Sequence, residues 1–158
     1  MNAADHAGTP TINIIELSPE LIAPAATLLA QHFWPQNHPI EHQALCEANL
    51  LRLIEWPSAQ LFLATRQGEY AGFVSIHWGF STSKGQPILR VQDLFVLPQH
   101  QRRGIARTLL RHLVQLGRQH GANRLQLETG TQNAPARALY KAYGFESFPD
   151  KEIYMLFL

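Results

Sequence analysis

One cysteine, Cys46, is all the chain has, so no disulfide can form within it. No stretch approaches the ~20 apolar residues that a membrane span needs, which excludes a transmembrane helix as the reading. Met1 to Pro10 has neither a basic start nor an apolar centre, so it does not read as a signal peptide. These ten residues are expected to form a flexible N-terminus. There is no internal repeat, low-complexity tract or linker. Charged residues make up only 16% of the chain, and the pI near 8.0 lies below the strongly basic range of nucleic-acid binders. Together these absences predict a cytoplasmic protein with no membrane or nucleic-acid partner. At 158 residues, 46% of them hydrophobic, it is expected to fold as one well-buried domain over residues 11–158.

The net charge of +1 hides an asymmetry. Residues 1–89 hold three bases and seven acids, a net of −4, while residues 90–158 hold ten bases and five acids, a net of +5. A basic half suits a polyanionic ligand, and an acidic half suits a cationic one.

Periodicity and breakers predict the order β-α-α-β-β-β-α-β-α-β-β. Thr11 to Leu17 alternates as a strand. Ser18-Pro19-Glu20 signals a helix start, with serine as cap. Pro24 interrupts, so the main helix is expected from Pro24 to Phe33. A second helix is expected from Pro39 to Ile54. Strands at Gln60–Arg66 and Tyr70–Phe80 flank the turn Gln67-Gly68-Glu69 as a hairpin. A strand over Pro87–Leu97 stops at Pro98. A helix from Gly104 to His120 ends at Gly121, with Ile105, Leu109, Leu113 and Leu116 as its apolar stripe. A strand at Arg124–Thr129, a helix at Pro135–Tyr143 and strands at Phe145–Phe148 and Glu152–Phe157 complete the series. This is an α/β domain around a mixed sheet.

The segment between Pro98 and Ala106 carries the most chemistry. A strand runs into a loop bearing Arg102, Arg103 and Gly104, and that loop opens a long amphipathic helix. A helix start offers unpaired N–H donors and about half a positive charge. Gly104 lets the backbone come close to a ligand, and arginines add charge-assisted hydrogen bonds. The loop therefore reads as an anion cradle, and its order and spacing suggest the pyrophosphate of coenzyme A. Arg103, Arg107 and Arg111 recur on another face of the helix. Arg111 reads as solvated, whereas Arg107 lies close enough to the helix start to reach a phosphate.

Gln101-Arg102-Arg103-Gly104-Ile105-Ala106 resembles the acetyl-CoA signature Gln/Arg-x-x-Gly-x-Gly/Ala of the GCN5-related N-acetyltransferase (GNAT) superfamily. Asn133, followed by Ala138-Leu139-Tyr140-Lys141-Ala142-Tyr143-Gly144-Phe145, resembles that family's second landmark. Both lie in the family's order and separation. Phe80-Ser81-Thr82, then Gln92-Asp93-Leu94-Phe95-Val96, is similar to the diamine and thialysine acetyltransferases. Those enzymes usually carry glutamate where Gln92 stands. The resemblance implies a single α/β domain with a mixed, mostly antiparallel twisted sheet of about seven strands and about four helices.

It also implies direct transfer of acetyl from acetyl-CoA, as co-substrate, to a primary amine, with no metal. The small-molecule acceptor is expected among polyamines, diamines, amino acids and aminoglycoside-like amines. The backbone of Leu94, Phe95 and Val96 is expected to pair with the pantetheine arm. Arg102, Arg103, Gly104, Ile105, Ala106 and Arg107 are expected to cradle the phosphates, and Asn133 to hydrogen-bond the cofactor. Tyr140 sits where the family places its general acid, although Ala136, Leu139, Tyr140 and Tyr143 also form a stripe fit for packing. Asn133 could instead serve the turn before Pro135. An alkylammonium must lose a proton before it attacks. Asp93 is a candidate to hold or deprotonate it, or a structural acid bonded to backbone; Glu128 is a second candidate.

His32, Phe33, Trp34, His38 and His42 cluster at a helix–loop–helix junction, where Phe33 and Trp34 offer aromatic faces to a cation. His38 and His42 have i, i+4 spacing, but no third metal ligand is evident. Trp56 and Trp78 read as packing, and Cys46 as a small core residue. A protein lysine or N-terminal acetyltransferase and a non-catalytic acyl-CoA sensor remain alternatives, and a homodimer remains open.

Overall fold

The computed structural model describes residues 11–36 and 40–158. Met1–Pro10, His38 and the expected helix start at Pro39 lie outside the described residues. Contacts divide the chain into two units, one up to Glu128 and one from Thr129 to Leu158.

The first unit is built on a five-stranded sheet in sequential order: β1 (Ile12–Glu16), β2 (Ala59–Arg66), β3 (Glu69–Ser81), β4 (Gln86–Val96) and β5 (Arg124–Gln126). The first four are antiparallel to their neighbours, and β5 joins β4 in parallel. Two helices, α1 (Ile22–Phe33) and α2 (Ile40–Glu55), precede β2, and α3 (Ile105–Gln119) joins β4 to β5.

The continuous apolar run of β2 has a direct cause. Leu61 and Leu63 share a core with Ala25, Leu28, Cys46, Leu50 and Phe73, while Phe62 and Ala64 share another with Val74, Ile105, Leu109 and Leu113. Successive strand residues point to opposite faces, so a strand covered on both faces is apolar throughout. The sheet thus lies between the α1–α2 pair and α3.

Gly72 marks the tightest approach in this sheet. A Cβ there would run into the carbonyl oxygen of Phe95 and lie 3.1 Å from Cα of Val96, both backbone atoms of β4. Gly72→Ala is expected to destabilise the protein by about 1–3 kcal/mol, as overpacking does. A thermal melt checks this, with a lowered Tm as the expected result.

The helix boundaries differ instructively from expectation. Ser18 makes no side-chain cap, and Pro19–Leu21 form a 3-10 turn leading into α1 at Ile22, two residues before Pro24. Pro24 lies in the first turn, where its missing N–H has no helical partner to lose. A second 3-10 turn, Pro98–His100, follows β4. Cys46 is buried as expected, but Trp56 is 64% exposed and does not pack as expected. Trp78 is half-buried, and its Nε1–H donates to Gln60 Oε1 at 2.9 Å.

The second unit holds α4 (Ala134–Tyr143). Asn133 caps it by accepting from Ala136 N–H, and Gly144 ends it at φ +97°. Here the expected seven strands reduce to five among the described residues. Strand β5 stops at Gln126 rather than Thr129, and Phe145–Phe148 and Glu152–Phe157 form no strand. Alternating apolar residues become a strand only where the backbone finds a ladder. This segment has none, so Tyr154, Leu156 and Phe157 stand exposed.

Candidate active site

The loop after β4 turns through two left-handed residues, Arg102 at φ +61° and Gly104 at φ +82°. A non-glycine residue in that region carries strain that its surroundings must hold. At Gly104 an added Cβ would meet nothing within 4 Å, so the loop faces open space there. The first α3 hydrogen bond runs from Thr108 N–H to Gly104 O. The N–H groups of Ile105, Ala106 and Arg107 therefore have no helical acceptor. Arg102, Arg103 and Arg107 are exposed around this helix start, and the buried Ile105 anchors it in the core. Free donors, dipole and arginines together fit a pyrophosphate.

Strand β4 leads into this loop with an unpaired edge. Its parallel ladder to β5 covers only Ile88, Leu89 and Arg90. From Val91 onward the β5 side is open. Leu97 N–H donates to Ala71 O, which makes them a hydrogen-bonded antiparallel pair. Alternation then turns the backbone groups of Phe95 toward Phe73 on β3, and those of Leu94 and Val96 toward the open side. The Val96 carbonyl on that side accepts from Gln101 Nε2 at 3.1 Å. An extended, amide-bearing ligand could add here as a further strand.

A β-bulge lies beside that edge. Ser75 opposes Asp93, but Ile76 opposes Val91, which leaves Gln92 as the extra residue. Consecutive residues of a regular strand face opposite ways, yet Gln92 and Asp93 both line one cavity of about 230 Å³. Leu29, Leu61, Phe73, Ser75 and His77 line it too. Ser75 Oγ–H donates to Asp93 Oδ2 at 2.8 Å, and Asp93 N–H donates to Ser75 Oγ at 3.1 Å. His32 Nε2 stands 3.6 Å from Asp93 Oδ1, an ion-pair distance rather than a hydrogen bond. Burial pushes the Asp93 carboxyl up, but His32 and Ser75 outweigh it and hold Asp93 below the usual aspartate value.

The other expected acceptor-site residues are placed as follows. Phe33 is 49% exposed at the end of α1, edge-on to Trp34. Trp34 is stacked on His42 at 4.1 Å, an interplanar angle of 13°. Glu128 follows β5 and pairs with Arg90 of β4 at 3.2 Å. Among the described residues no group of three or more His, Cys, Asp or Glu could hold a metal ion, and no helix is long and apolar enough to cross a membrane.

In the second unit, Tyr140 is half-buried, with its ring 5.7 Å from that of Phe145. Burial raises the pKa of its phenol. Asn133 spends its carbonyl oxygen on the helix cap at 3.3 Å, which leaves its amide N–H groups to donate elsewhere.

The sequence singled out His32 but tied neither it nor Ser75 to Asp93. His32 lies 61 positions away, on α1, and Ser75 faces Asp93 only through a bulged register. A polar serine within the apolar run of β3 was the one available hint.

An open strand edge leads into an N–H-rich loop on a sheet covered by helices on both faces, an arrangement whose shape and donors fit an extended, phosphate-bearing ligand. The acetyltransferase (GNAT) family model matches residues 25–145. The chain belongs to the acetyltransferase (GNAT) family. It is 38% identical over 78 residues to the streptothricin acetyltransferase of Streptomyces lavendulae, which covers 49% of this chain and 39% of that protein. It is 34% identical over 104 residues to a thialysine N-epsilon-acetyltransferase of Caenorhabditis elegans, 66% of this chain and 64% of that one. The chain thus spans less than two thirds of the length of either relative. Its fold matches an aminoglycoside N-acetyltransferase solved in complex with CoA, with TM-score 0.78, 20% identity and coverage of 95% and 97%.

Proposed function

We propose that this protein is an enzyme that moves acetyl from acetyl-CoA directly to a primary amine of a small molecule. The acceptor class is a polyamine, diamine, amino acid or aminoglycoside-like amine. The observation that carries this reading is the free β4 edge, continuous at one end with the α3 helix start and at the other with the Asp93 cavity. Relatives named for streptothricin and thialysine add support for a small amine as acceptor.

The chain's own groups then divide the work. Ile105, Ala106 and Arg107 give N–H bonds to the phosphates, assisted by the Arg102 and Arg103 guanidinium groups. Leu94 and Val96 pair with the amides of the pantetheine arm, while Phe95 ties the strand to β3. An N–H on that edge polarises the thioester carbonyl as negative charge develops on its oxygen. Asp93, kept ionised by Ser75 and His32, holds the cationic amine. Phe33 and Trp34 offer it aromatic faces. Asn133 donates to the cofactor through its amide, and Tyr140 gives its proton to the departing thiolate.

Thiol release from acetyl-CoA against diamines, polyamines, lysine analogues, aminoglycosides and lysine-bearing peptides tests the reading. Turnover with free amines is the expected result. Turnover with peptides alone would replace it with protein acetylation. Binding of acetyl-CoA with no transfer to any amine would replace it with an acyl-CoA sensor.

A further inference from the structure

We propose that His32 is the proton acceptor for the incoming amine, oriented by Asp93, which Ser75 in turn holds in place. This rests on the amine-acetyltransferase reading above and assigns a base to the same site.

The geometry has three parts. His32 projects from the end of α1 against the cavity wall, touching Phe73 and Phe95 by ring centroids at 5.7 Å and 5.1 Å. Its Nε2 stands 3.6 Å from Asp93 Oδ1, so the accepting role is assigned to the other ring nitrogen, Nδ1. Asp93 is itself fixed through two bonds with Ser75. A carboxylate at ion-pair distance stabilises the imidazolium that forms when the imidazole takes up a proton, which is the general logic of a base with a supporting acid. The proton balance also favours the histidine. Asp93 lies below the ordinary aspartate value, which makes it a good anchor for a cation and a poor acceptor of its proton. A neutral imidazole nitrogen offers a lone pair that can accept a proton in the transition state.

Among the described residues, Asp93 on β4 is the charged group paired with His32, whose other ring neighbours are Phe33, Phe73 and Phe95. His77 on β3 lines the same cavity as Asp93. Burial lowers the His77 pKa, and Arg90 lowers it further. His77 is therefore the rival acceptor that a test must separate.

In the step, one proton passes from the ammonium to His32 Nδ1. The freed nitrogen lone pair forms the C–N bond at the acetyl carbonyl carbon, and the C–S bond breaks. The thiolate leaves with its electron pair and is protonated through Tyr140. The second amine proton and the one on His32 are returned to solvent and to the phenolate.

The test compares the wild type with His32→Gln and His77→Gln, using the best acceptor from the thiol-release panel, across about pH 6–10. Glutamine keeps a donor toward Asp93 but accepts no proton at these pH values. Without its base, His32→Gln must wait for amine that is already neutral. Its kcat/KM is expected to fall roughly 30-fold at pH 7, short of the full 10²–10⁴ of general base catalysis because water remains. The defect is expected to close to within about threefold as pH nears the amine's own value, about 10.4 for a lysine-like amine. Acetyl-CoA affinity and Tm serve as controls for folding.

A loss that stays constant with pH would mark a packing role and overturn the inference. So would a pH profile that changes in His77→Gln instead. In the wild type, peptide-only turnover, or binding of acetyl-CoA without any transfer, would remove the parent reading and this inference with it. That is distinct from an active wild type whose His32→Gln variant is unimpaired, which overturns this inference alone. If His32→Gln does not fold, His32→Asn replaces it in the same pH series, and a loss that does not shrink as the pH rises would overturn the inference.

Discussion

Gly104→Glu is expected to weaken acetyl-CoA binding by roughly a thousandfold or more, which is about 4 kcal/mol. Two costs combine. Gly104 sits at φ +82°, where any L side chain is strained by about 1–2 kcal/mol. The Cβ itself would enter open space, so nothing in the protein is displaced. That space is where a pyrophosphate would approach the N–H groups of Ile105, Ala106 and Arg107. A carboxylate there blocks the approach and sets like charges together in a partly desolvated site. Gly104→Ala separates the two costs, because it keeps the strain and omits the charge. Its expected loss is about tenfold. Calorimetric titration with acetyl-CoA reads both variants. Native affinity in Gly104→Glu would remove the phosphate role from this loop.

That loop was legible because its chemistry is local. Pro98 cannot extend a strand ladder, Gly104 permits a left-handed turn, and the apolar period that begins at Ile105 predicts a helix. All three act within ten residues. The same holds for α3, whose buried face includes Ile105, Leu109 and Leu113 of the expected stripe. Where the outcome depended on distant partners, the sequence was silent or misleading. Residues 152–157 have a strand's composition, but a strand needs a second backbone, and none pairs with this segment among the described residues. Trp56 is as apolar as any core residue, yet it stands exposed among the described residues. The Ser75–Asp93 pairing depends on an inserted residue in β4 that no periodicity reveals, because a single-residue shift moves every later side chain to the other face. His32 meets Asp93 only because the end of α1 lies over β3 and β4. Turns and helix starts are thus read from neighbours in sequence, and side-chain pairs such as His32 with Asp93 from neighbours in space.

Tyr140→Phe is expected to lower kcat by about 10²–10³-fold, within the range of lost general acid catalysis. Phenylalanine keeps the ring that lies against Phe145 and removes only the hydroxyl. The packing of α4 and its cap at Asn133 are therefore preserved, and acetyl-CoA affinity should stay within about fivefold, since one hydrogen-bonded hydroxyl contributes about 1 kcal/mol to a ground state it touches. Burial raises the Tyr140 pKa, so the phenol keeps its proton at neutral pH and arrives at the reaction as a donor. A thiolate leaving group gains from that donor only as the C–S bond breaks. The loss should thus fall on kcat rather than on binding, which is the mark of an interaction made in the transition state. Acceptors attached to the same enzyme should all suffer alike, because the leaving group is common to them. Steady-state rates with two unrelated amines, together with calorimetric acetyl-CoA affinity, check this. An unchanged kcat would return Tyr140 to the apolar stripe it shares with Ala136, Leu139 and Tyr143, and the thiolate would then take its proton from the attacking amine or from water.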